Sequence, residues 1–273
     1  MKVLRTAAAV REWRSGPGTV GLVPTMGALH AGHASLVDRA VRENDRVIAS
    51  IFVNPTQFGA GEDYTAYPRS EAADLRLLEE RGAAAAFVPA VEELYPAGDD
   101  TPIVPGEIAT PLEGRARPGH FTGVATVVKR LLDIVTPDRA YFGQKDLQQL
   151  RVIQTMAGAL GLATRIVGCP IVRAPNGLAL SSRNAYLSEA EYERAAALSR
   201  GLRAAEAAFA RGVRDAEQLR QTVRAALTAA GIEPESSRAP IRSRSTSSRA
   251  RSIVPPSRSR RASAARGSSI TSC

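Results

Sequence analysis

The feature that most constrains this chain is an apolar run that leads straight into a glycine- and histidine-rich turn and then a helix. Residues 20–23 read as a buried strand, and the pattern after residue 34 is that of an amphipathic helix. Between them lie Gly27, His30, Gly32 and His33. Glycines allow a ligand to approach the backbone, and the first turn of a helix offers N–H donors and the positive end of its dipole. The junction therefore predicts an anion site.

The same alternation of apolar runs and helical patterns continues through the first 170 residues. Continuous apolar strands separated by helices are typical of a parallel sheet covered on both faces. We therefore expect an α/β fold with a Rossmann-like, doubly wound parallel sheet, whose ligand lies at the carboxyl ends of the strands. The predicted strands are residues 20–23, 47–53, 84–88, 139–142 and 164–169, and the predicted helices are residues 34–44, 70–82, 122–135 and 146–160.

The rest of the chain has a different composition. Residues 171–180 contain the turn signal Pro175-Asn176-Gly177 and predict a short hairpin, and two Ala-rich helices are expected at 189–210 and 214–230. Residues 236–273 consist mainly of Ser, Arg, Ala and Pro, a composition that cannot bury a core and predicts disorder. We expect a catalytic domain at 1–175, a smaller and mainly helical lid domain at 176–235, and a tail at 236–273.

The positive charge of this chain is confined to that tail. The formal net charge is +9, and residues 236–273 contain nine Arg and no Asp, Glu or Lys, so the remaining basic and acidic residues balance. No apolar run approaches the roughly 20 residues that span a bilayer, and the N-terminus has no apolar signal-like segment. Two cysteines cannot form a disulfide framework. We expect a cytoplasmic protein that binds neither nucleic acid nor membrane.

The pair His30 and His33 admits three interpretations from the residues alone. The rings could pack or cap the helix locally, bind a metal, or contact a phosphate. A metal site needs further ligands, and outside the tail the chain offers only His120 and Cys169 without a zinc-type spacing. We therefore expect no protein-bound metal and favour phosphate binding at the strand–helix junction.

Several segments together carry a resemblance to a known family. Residues 24–33 resemble the HIGH-type signature of the nucleotidylyltransferase superfamily, in the form found in pantoate–β-alanine ligases (pantothenate synthetases). Six motifs in the order of that family make the resemblance specific, and it covers about residues 1–235. The motif residues are 24–33, 51–58, 63–69, 112–124, 142–149 and 180–184.

The resemblance implies a two-step ligation. ATP adenylates the carboxylate of pantoate and releases diphosphate, and the amine of β-alanine then attacks the acyl-adenylate to give pantothenate and AMP. It also implies Mg²⁺ held mainly by ATP and water, no tightly bound organic cofactor, and a homodimer formed through the large domain with residues 121–135 nearby.

The resemblance assigns roles to individual residues. His33, His30 and Lys145 are the expected catalytic groups, Gln57 and Gln149 contact pantoate, and Gln57 also contacts β-alanine. The backbone of Val172 meets adenine. The roles of Asp146, Arg117 and His120 stay open: Asp146 meets either the ribose or Mg²⁺, and Arg117 and His120 are weaker site candidates, with loop positioning by Arg117 and simple packing of His120 as the alternatives. The expected ATP-binding residues are Met26, Gly27, Ala28, Leu29, His30, Ala31, Gly32, His33, Gly143, Gln144, Lys145, Asp146, Val172, Leu180, Ser181, Ser182 and Arg183.

Lys145 and Gln57 also stand out on chemical grounds. The chain has three lysines against 33 arginines, so a Lys in a loop after a strand suggests a phosphate contact. Glutamine offers a donor and an acceptor without charge, as the hydroxyls of pantoate require. Gln57 and Gln149 argue against another nucleotidylyltransferase that adenylates a phosphate acceptor. The neutral body argues against a non-catalytic protein that binds nucleic acid through its tail.

The tail departs from the family pattern after Glu235. We hypothesise a reading-frame shift there, because Ser and Arg codons of high GC content become Val, Gly, Asp or Ala codons in a neighbouring frame. The lid domain would then be incomplete. A basic arm that binds RNA or membrane is the rival hypothesis, and it predicts affinity that falls steeply with salt. Resequencing the gene distinguishes the two.

Overall fold

The computed structural model describes residues 1–99 and 101–233. Its centre is a six-stranded sheet in which every neighbouring pair is parallel, in the order β1-β4-β3-β2-β5-β6. This confirms the predicted doubly wound α/β class. The expectations for the tail at 236–273 lie outside the described residues. The strands are β1 (Lys2–Leu4), β2 (Val20–Thr25), β3 (Arg46–Ile51), β4 (Ala85–Phe87), β5 (Arg139–Gly143) and β6 (Arg165–Cys169).

Ten α-helices flank or follow the sheet in the part of the chain that the structure describes. Two apolar clusters cover the two faces of the sheet, one against the first, sixth and seventh helices and the other against the second and third. The helices are α1 (Ala7–Arg14), α2 (Ala31–Glu43), α3 (Glu71–Glu80), α4 (Val91–Leu94), α5 (Glu113–Ala116), α6 (His120–Val135), α7 (Leu147–Ala159), α8 (Glu189–Ala195), α9 (Ala197–Ala210) and α10 (Ala216–Ala229).

The order of the strands decides where a ligand can bind. From β2 the chain proceeds to β3 and β4 on one side, whereas β5 and β6 lie on the other side. The topological switch point therefore falls between β2 and β5, and a crevice opens beyond their carboxyl ends. The segments that follow β2, β3, β5 and β6 all meet at this edge. They include the predicted site segments 25–33, 54–57 and 143–146.

Four elements were not predicted from the sequence, namely β1, α1, α4 and α5, and one predicted helix is divided. The edge strand β1 and the helix α1 are short, and Thr6 caps α1 by accepting the N–H of Ala9. The predicted helix at 189–210 consists of α8 and α9, which meet at Ala196. The predicted hairpin is present as an isolated antiparallel bridge between Arg173 and Ala179. Short strands and helix breaks leave little periodicity for a sequence pattern to reveal.

Helix α6 lies inside the core of one chain. Phe121, Val124 and Leu131 are among its buried residues, and only a minority of its side chains reach solvent. Its apolar side chains pack against the sheet of the same chain. The expectation that residues 121–135 lie near a homodimer interface stays a prediction.

The last helices pack differently. Gly201 of α9 lets α10 come close, since a Cβ there would lie 3.1 Å from the Val223 carbonyl. On another side of α9, Leu198, Leu202 and Phe209 are exposed by 47–50%, uncovered by the residues that the structure describes. Their spacing of four and seven places them along one stripe. In the described residues, no helix is long and apolar enough to cross a membrane.

Candidate active site

A cleft opens beyond the carboxyl ends of β2, β3, β5 and β6, and it collects most of the residues predicted from the sequence. The predicted residues on its wall are Met26, His30, Gly32, His33, Gln57, Gly143, Lys145, Asp146, Gln149, Val172, Leu180, Ser181, Ser182 and Arg183. Five others of the predicted set belong to the same turns but do not line the cleft: Gly27, Ala28, Leu29, Ala31 and Gln144.

The turn between β2 and α2 has an unusual backbone. Gly27 and Ala28 both have positive φ, 82° and 49°. A Cβ on Gly27 would lie 3.0 Å from a carboxylate oxygen of Asp74 and 3.1 Å from Ile51, so only glycine fits there without displacement. This requirement explains the first glycine of the motif.

Asp74 of α3 holds this turn from below. Its side chain is buried, and its two oxygens accept the backbone N–H groups of Ala28 at 2.9 Å and Leu29 at 2.8 Å. The Ser70 hydroxyl donates to the same carboxylate at 3.2 Å. Hydrogen bonds to a charged acceptor are stronger than neutral ones, so the carboxylate fixes the backbone that precedes His30.

The two histidines form the first turn of α2. His30 is the N-cap, and its Nδ1 accepts the N–H of Gly32 at 3.0 Å, while its own N–H points at Nδ1 of His33 at 3.4 Å. The ring centroids are 4.2 Å apart. The N–H of Gly32, one of the backbone donors expected to bind the anion, is thus already used by the His30 ring. The His30 and His33 side chains both belong to residues that line the cleft.

These contacts define the protonation of both rings. Because each Nδ1 accepts a backbone N–H, each neutral ring carries its proton on Nε2. Burial, followed by the charge of Lys145, lowers the pKa of His30. Burial, followed by the charges of His30 and Lys145, lowers the pKa of His33 to about 3. At neutral pH both rings are therefore uncharged Nε2–H donors.

Lys145 lies on the opposite wall of the cleft, in the turn Gln144–Asp146 between β5 and α7. Its ammonium is 3.1 Å from the carboxylate of Asp146, and both side chains are partly exposed. The ion pair is local and solvated, so it holds the lysine only weakly.

The second predicted phosphate loop closes the cleft from the side of the last helices. The turn Ser182–Tyr186 is capped by Ser181, and the Ser182 hydroxyl donates to the Ala28 carbonyl at 3.0 Å. The guanidinium of Arg183 makes two hydrogen bonds of 2.9 Å to the carboxylate of Asp63. The pairing lowers the pKa of Asp63. The planar fork that would bind phosphate already holds an internal carboxylate.

The other end of the cleft is neutral overall, since Arg117 and Glu113, which both line it, pair with each other at 2.9 Å. Gln57 ends the short turn Pro55–Gln57 after β3, and its Nε2 lies 3.2 Å from the sulfur of Met26. Gly123 of α6 packs against this turn so closely that a Cβ would lie 2.3 Å from the Thr56 carbonyl. Gln149 on α7 also faces the cleft. The apolar wall beside them is formed by Phe52, Val124, Val127, Val128 and Leu131.

Arg117 and His120 hold the same turn, and both line the cleft. His120 is buried, and its Nδ1 donates to the Gln57 carbonyl at 2.8 Å, while Arg117 reaches that carbonyl at 3.4 Å. Arg117 also binds Glu62 through both arms of its fork and Glu113 at 2.9 Å. Burial lowers the pKa of His120, so a neutral ring donates to Gln57 and accepts from Arg117 at 3.1 Å. Both side chains thus hold the backbone of the Gln57 turn.

Sequence reasoning missed two carboxylates that hold predicted phosphate-contacting segments, Asp63 on Arg183 and Asp74 on the β2–α2 turn. Asp63 stands in a motif segment without a predicted role, and Asp74 lies in an ordinary amphipathic helix. Neither has a local signal, because a carboxylate on a helix or loop is normally solvated. Their partners lie 120 and 46 positions away in the chain.

Comparison with known proteins shows to which family the chain belongs. The sequence profile of the pantoate-beta-alanine ligase family matches residues 2–269. The chain belongs to the pantoate–β-alanine ligase family. Its enzymatic class is therefore that of a ligase which forms an amide bond.

Individual relatives agree with this family. The pantothenate synthetase of Roseiflexus sp. (strain RS-1) is 56% identical over 230 residues, which cover 84% of this chain and 83% of the relative. A pantothenate synthetase structure from Thermus thermophilus is 48% identical with a TM-score of 0.80, covering 84% of this chain and 83% of that one. The Francisella tularensis ligase, complexed with "Beta-gamma ATP and Beta-alanine", is 38% identical with a TM-score of 0.72, covering 83% and 86%.

The extent of the match bears on the tail. The family profile extends to residue 269, beyond the stretch at 1–235 on which the sequence resemblance rests. The Roseiflexus relative aligns over 230 residues. The frame-shift hypothesis therefore remains a prediction for resequencing to test.

Proposed function

We propose that this ligase joins pantoate to β-alanine through a pantoyl-adenylate formed in the cleft. In the first step a carboxylate oxygen of pantoate attacks the α-phosphorus of ATP, and the bond to diphosphate breaks. In the second step the neutral amine of β-alanine attacks the acyl carbon, AMP leaves with the bonding electron pair, and the nitrogen releases a proton to water. The observation that carries this proposal is the convergence of cationic, N–H-donating and neutral amide groups on one cleft.

The phosphate end supplies fixed donors for the first step. Negative charge builds on the α-phosphate and on the departing diphosphate, and donors aimed at such oxygens stabilise the transition state more than the ground state. We assign this role to the Nε2–H groups of His30 and His33 and to the ammonium of Lys145. Family resemblance suggested His33 as an acid, but a ring with a pKa of about 3 is neutral and acts as a hydrogen-bond donor.

Arg183 has to exchange its partner when ATP binds. Its fork holds Asp63, so a phosphate must replace that carboxylate to use both arms. The exchange costs little free energy, since both side chains are partly exposed and an exposed ion pair contributes about 0–1 kcal/mol to stability. The backbone of Val172 contacts adenine in this proposal, and its carbonyl also accepts the N–H of Leu180 at 3.0 Å.

Pantoate occupies the neutral end in this proposal. Its gem-dimethyl group fits the apolar wall of α6, and Gln57 and Gln149 contact its polar atoms without introducing a charge that competes for the carboxylate. Gln57 also contacts β-alanine, which must reach the acyl carbon from the same side. The clamp of His120 and Arg117 on the Gln57 backbone keeps this end in place before the substrate arrives.

Mg²⁺ enters with ATP as part of the substrate. In the described residues, no group of three or more His, Cys, Asp or Glu could hold a metal ion by itself. The carboxylate of Asp146 lies beside the ammonium of Lys145 on the cleft wall. A carboxylate oxygen is a suitable ligand for Mg²⁺. The ion would neutralise phosphate charge, while Lys145 and the histidines fix the phosphate positions.

We infer the organisation around this site from the family resemblance. Residues 1–175 bind ATP and pantoate, residues 176–235 form the lid that carries Ser181–Arg183, and the enzyme is a cytoplasmic homodimer. Light scattering of the purified chain measures the oligomeric state. A monomeric mass at micromolar concentration would exclude the dimer.

One assay tests the chemistry. AMP release should require pantoate and β-alanine together, whereas exchange of labelled diphosphate into ATP should require pantoate alone. Exchange that also needs β-alanine would exclude a free adenylate intermediate. AMP release with β-alanine and a different carboxylic acid, but not with pantoate, would exclude the proposed substrate.

A further inference from the structure

The amide of Asn54 connects the cleft to a residue outside it. Asn54 is 1% exposed, and its Oδ1 accepts from the Tyr95 hydroxyl at 2.7 Å, the Thr56 hydroxyl at 3.0 Å and the Thr56 N–H at 3.3 Å. Its Nδ2 donates to the Gly123 carbonyl at 3.2 Å and to Oε1 of Gln57 at 3.1 Å. Every polar position of this amide is used.

The Asn54 amide can take only one orientation. If its nitrogen and oxygen exchanged places, the NH₂ group would face the Thr56 N–H and the oxygen would face the Gly123 carbonyl. Both contacts would be repulsive in a buried site, where an unmade hydrogen bond is costly. The Thr56 N–H and the Gly123 carbonyl therefore select the observed orientation. The Tyr95 hydroxyl makes the shortest bond to the oxygen so oriented and also lies 3.0 Å from the Thr56 hydroxyl, so it holds the amide in place.

This orientation is passed on to Gln57. Because Asn54 presents an N–H, Gln57 turns its Oε1 toward Asn54 and leaves its NH₂ group on the side of the cleft, near the Met26 sulfur. A thioether is a weak acceptor, so a substrate oxygen can replace it readily. The Gln57 amide could otherwise present either its NH₂ group or its oxygen to the cleft, and this arrangement makes it present the NH₂ donor.

Tyr95 itself is held firmly. It follows α4 and does not line the cleft. The Arg130 guanidinium lies 4.8 Å from its ring centroid, and the Phe52 ring is 6.4 Å away. Arg130 is anchored by the carbonyls of Leu94 and Asp99. Burial raises the pKa of Tyr95, so the group stays a hydroxyl donor.

We propose that Tyr95 is a positioning residue that holds the Asn54 amide and thereby keeps the polarity of Gln57, so that Gln57 presents a dedicated donor to an oxygen acceptor of pantoate. This inference rests on the proposed pantoate-binding role of Gln57. It assigns a positioning function to a tyrosine that does not line the cleft.

The test compares the KM for pantoate with the KM for ATP. Tyr95→Phe should raise the KM for pantoate about 3- to 10-fold, the effect of losing one hydrogen bond of about 1 kcal/mol, and leave the KM for ATP unchanged. Tyr141→Phe is the matched control. It removes a buried tyrosine hydroxyl that is bonded to Asn44 and Glu43, away from the cleft. It should lower thermal stability without changing the KM for pantoate.

A double-mutant cycle separates this inference from the proposed function. Gln57→Glu replaces the donor by an acceptor and should raise the KM for pantoate at least about 10-fold, and adding Tyr95→Phe should then have no further effect. If Gln57→Glu leaves the KM for pantoate unchanged, pantoate binds elsewhere and both proposals fail. If Gln57→Glu weakens pantoate but Tyr95→Phe does not, the polarity relay alone is overturned.

A second variant keeps the test decisive should Tyr95→Phe fold poorly. Thr56→Val removes the other hydroxyl that donates to Asn54 and retains the Thr56 backbone N–H. It should raise the KM for pantoate in the same direction. Equal shifts in the KM values for pantoate and ATP would indicate a general loss of structure and would overturn the relay.

Discussion

The two ends of the cleft differ in how far the free protein has already arranged them. At the phosphate end, the cations Lys145 and Arg183 are paired with Asp146 and Asp63 at partly exposed positions. At the pantoate end, Asn54 and His120 are buried, and their hydrogen bonds need no rearrangement.

The difference follows from charge. A cation buried without a partner would cost several kcal/mol, so cations that await a phosphate are kept solvated or paired with a replaceable carboxylate. A neutral amide has no such cost once its hydrogen bonds are made, and it can be fixed in advance. The phosphate end is therefore expected to adjust when ATP binds, and the pantoate end to stay rigid.

The largest expected effect concerns the phosphate end. Lys145→Ala should lower kcat on the order of 10²- to 10³-fold, because it removes a charged donor aimed at the transferring phosphate. Initial rates of AMP release measure the loss. Lys129→Ala, which breaks an ion pair with Asp133 on α6, is the control and should retain activity. Similar losses in both variants would refute a specific role for Lys145.

The next prediction tests whether the β2–α2 turn is fixed before ATP binds, as the pantoate end is. Asp74→Asn leaves one acceptor for two backbone N–H groups and sets its own NH₂ against the other. Leaving a buried donor unsatisfied costs about 1–3 kcal/mol, so kcat/KM should fall roughly 10- to 100-fold.

Asp138→Asn provides the matched control for Asp74. Asp138 accepts the backbone N–H of Val20 at 2.7 Å, at the opposite end of the same strand. Its replacement should lower the melting temperature and leave kcat intact. If Asp74→Asn likewise loses only stability, the carboxylate supports the fold and does not position the histidines.

A smaller effect concerns the exchange of partners at Arg183. Asp63→Asn frees the guanidinium and should lower the KM for ATP about 2- to 5-fold, with the gain shrinking at high salt. Asp133→Asn changes the net charge equally at a distant ion pair and should leave the KM unchanged. A higher KM for ATP in Asp63→Asn would mean that Asp63 orients Arg183 for phosphate.

The last prediction concerns the free energy of unfolding, and its effect is the smallest at neutral pH. The pKa of His33 is about 3 in the folded chain and near 6.5 when unfolded, so the unfolded chain binds the extra proton between these values. Stability is complete above pH 6.5 and falls as the pH drops toward 3, with a slope of up to about 1.4 kcal/mol per pH unit from this group.

His33→Asn tests that slope. The amide oxygen can still accept the N–H of His30 but does not titrate in this range. Urea denaturation at several pH values should show a flatter dependence between pH 6.5 and 3 than in the parent chain. An identical pH dependence would show that His33 is not the buried neutral ring described above.

Sequence patterns predicted much of this fold because its main elements are long or strongly apolar. Strands such as β2 and β3 and helices such as α6 appear close to their predicted positions. The edge strand β1 and the break between α8 and α9 were not predicted, since three residues or a single junction carry too little periodicity.

By itself, the sequence determined which chemical groups the protein possesses and that they follow the carboxyl ends of parallel strands. His30, Gln57, Lys145 and Arg183 are placed at that edge by local patterns and by turn residues that short-range rules describe. The family resemblance follows from the same short segments. These properties depend on neighbours in the chain, so they can be read along it.

Only the tertiary structure decided the orientation, the protonation and the ion pairing of those groups. It brought Asp74 under the β2–α2 turn, Asp63 onto Arg183, and Tyr95 onto the amide chain that ends at Gln57. It also made His33 neutral through burial. Proton positions, amide polarity and ion pairing depend on partners distant in sequence and on the exclusion of water, and both exist only after the chain has packed.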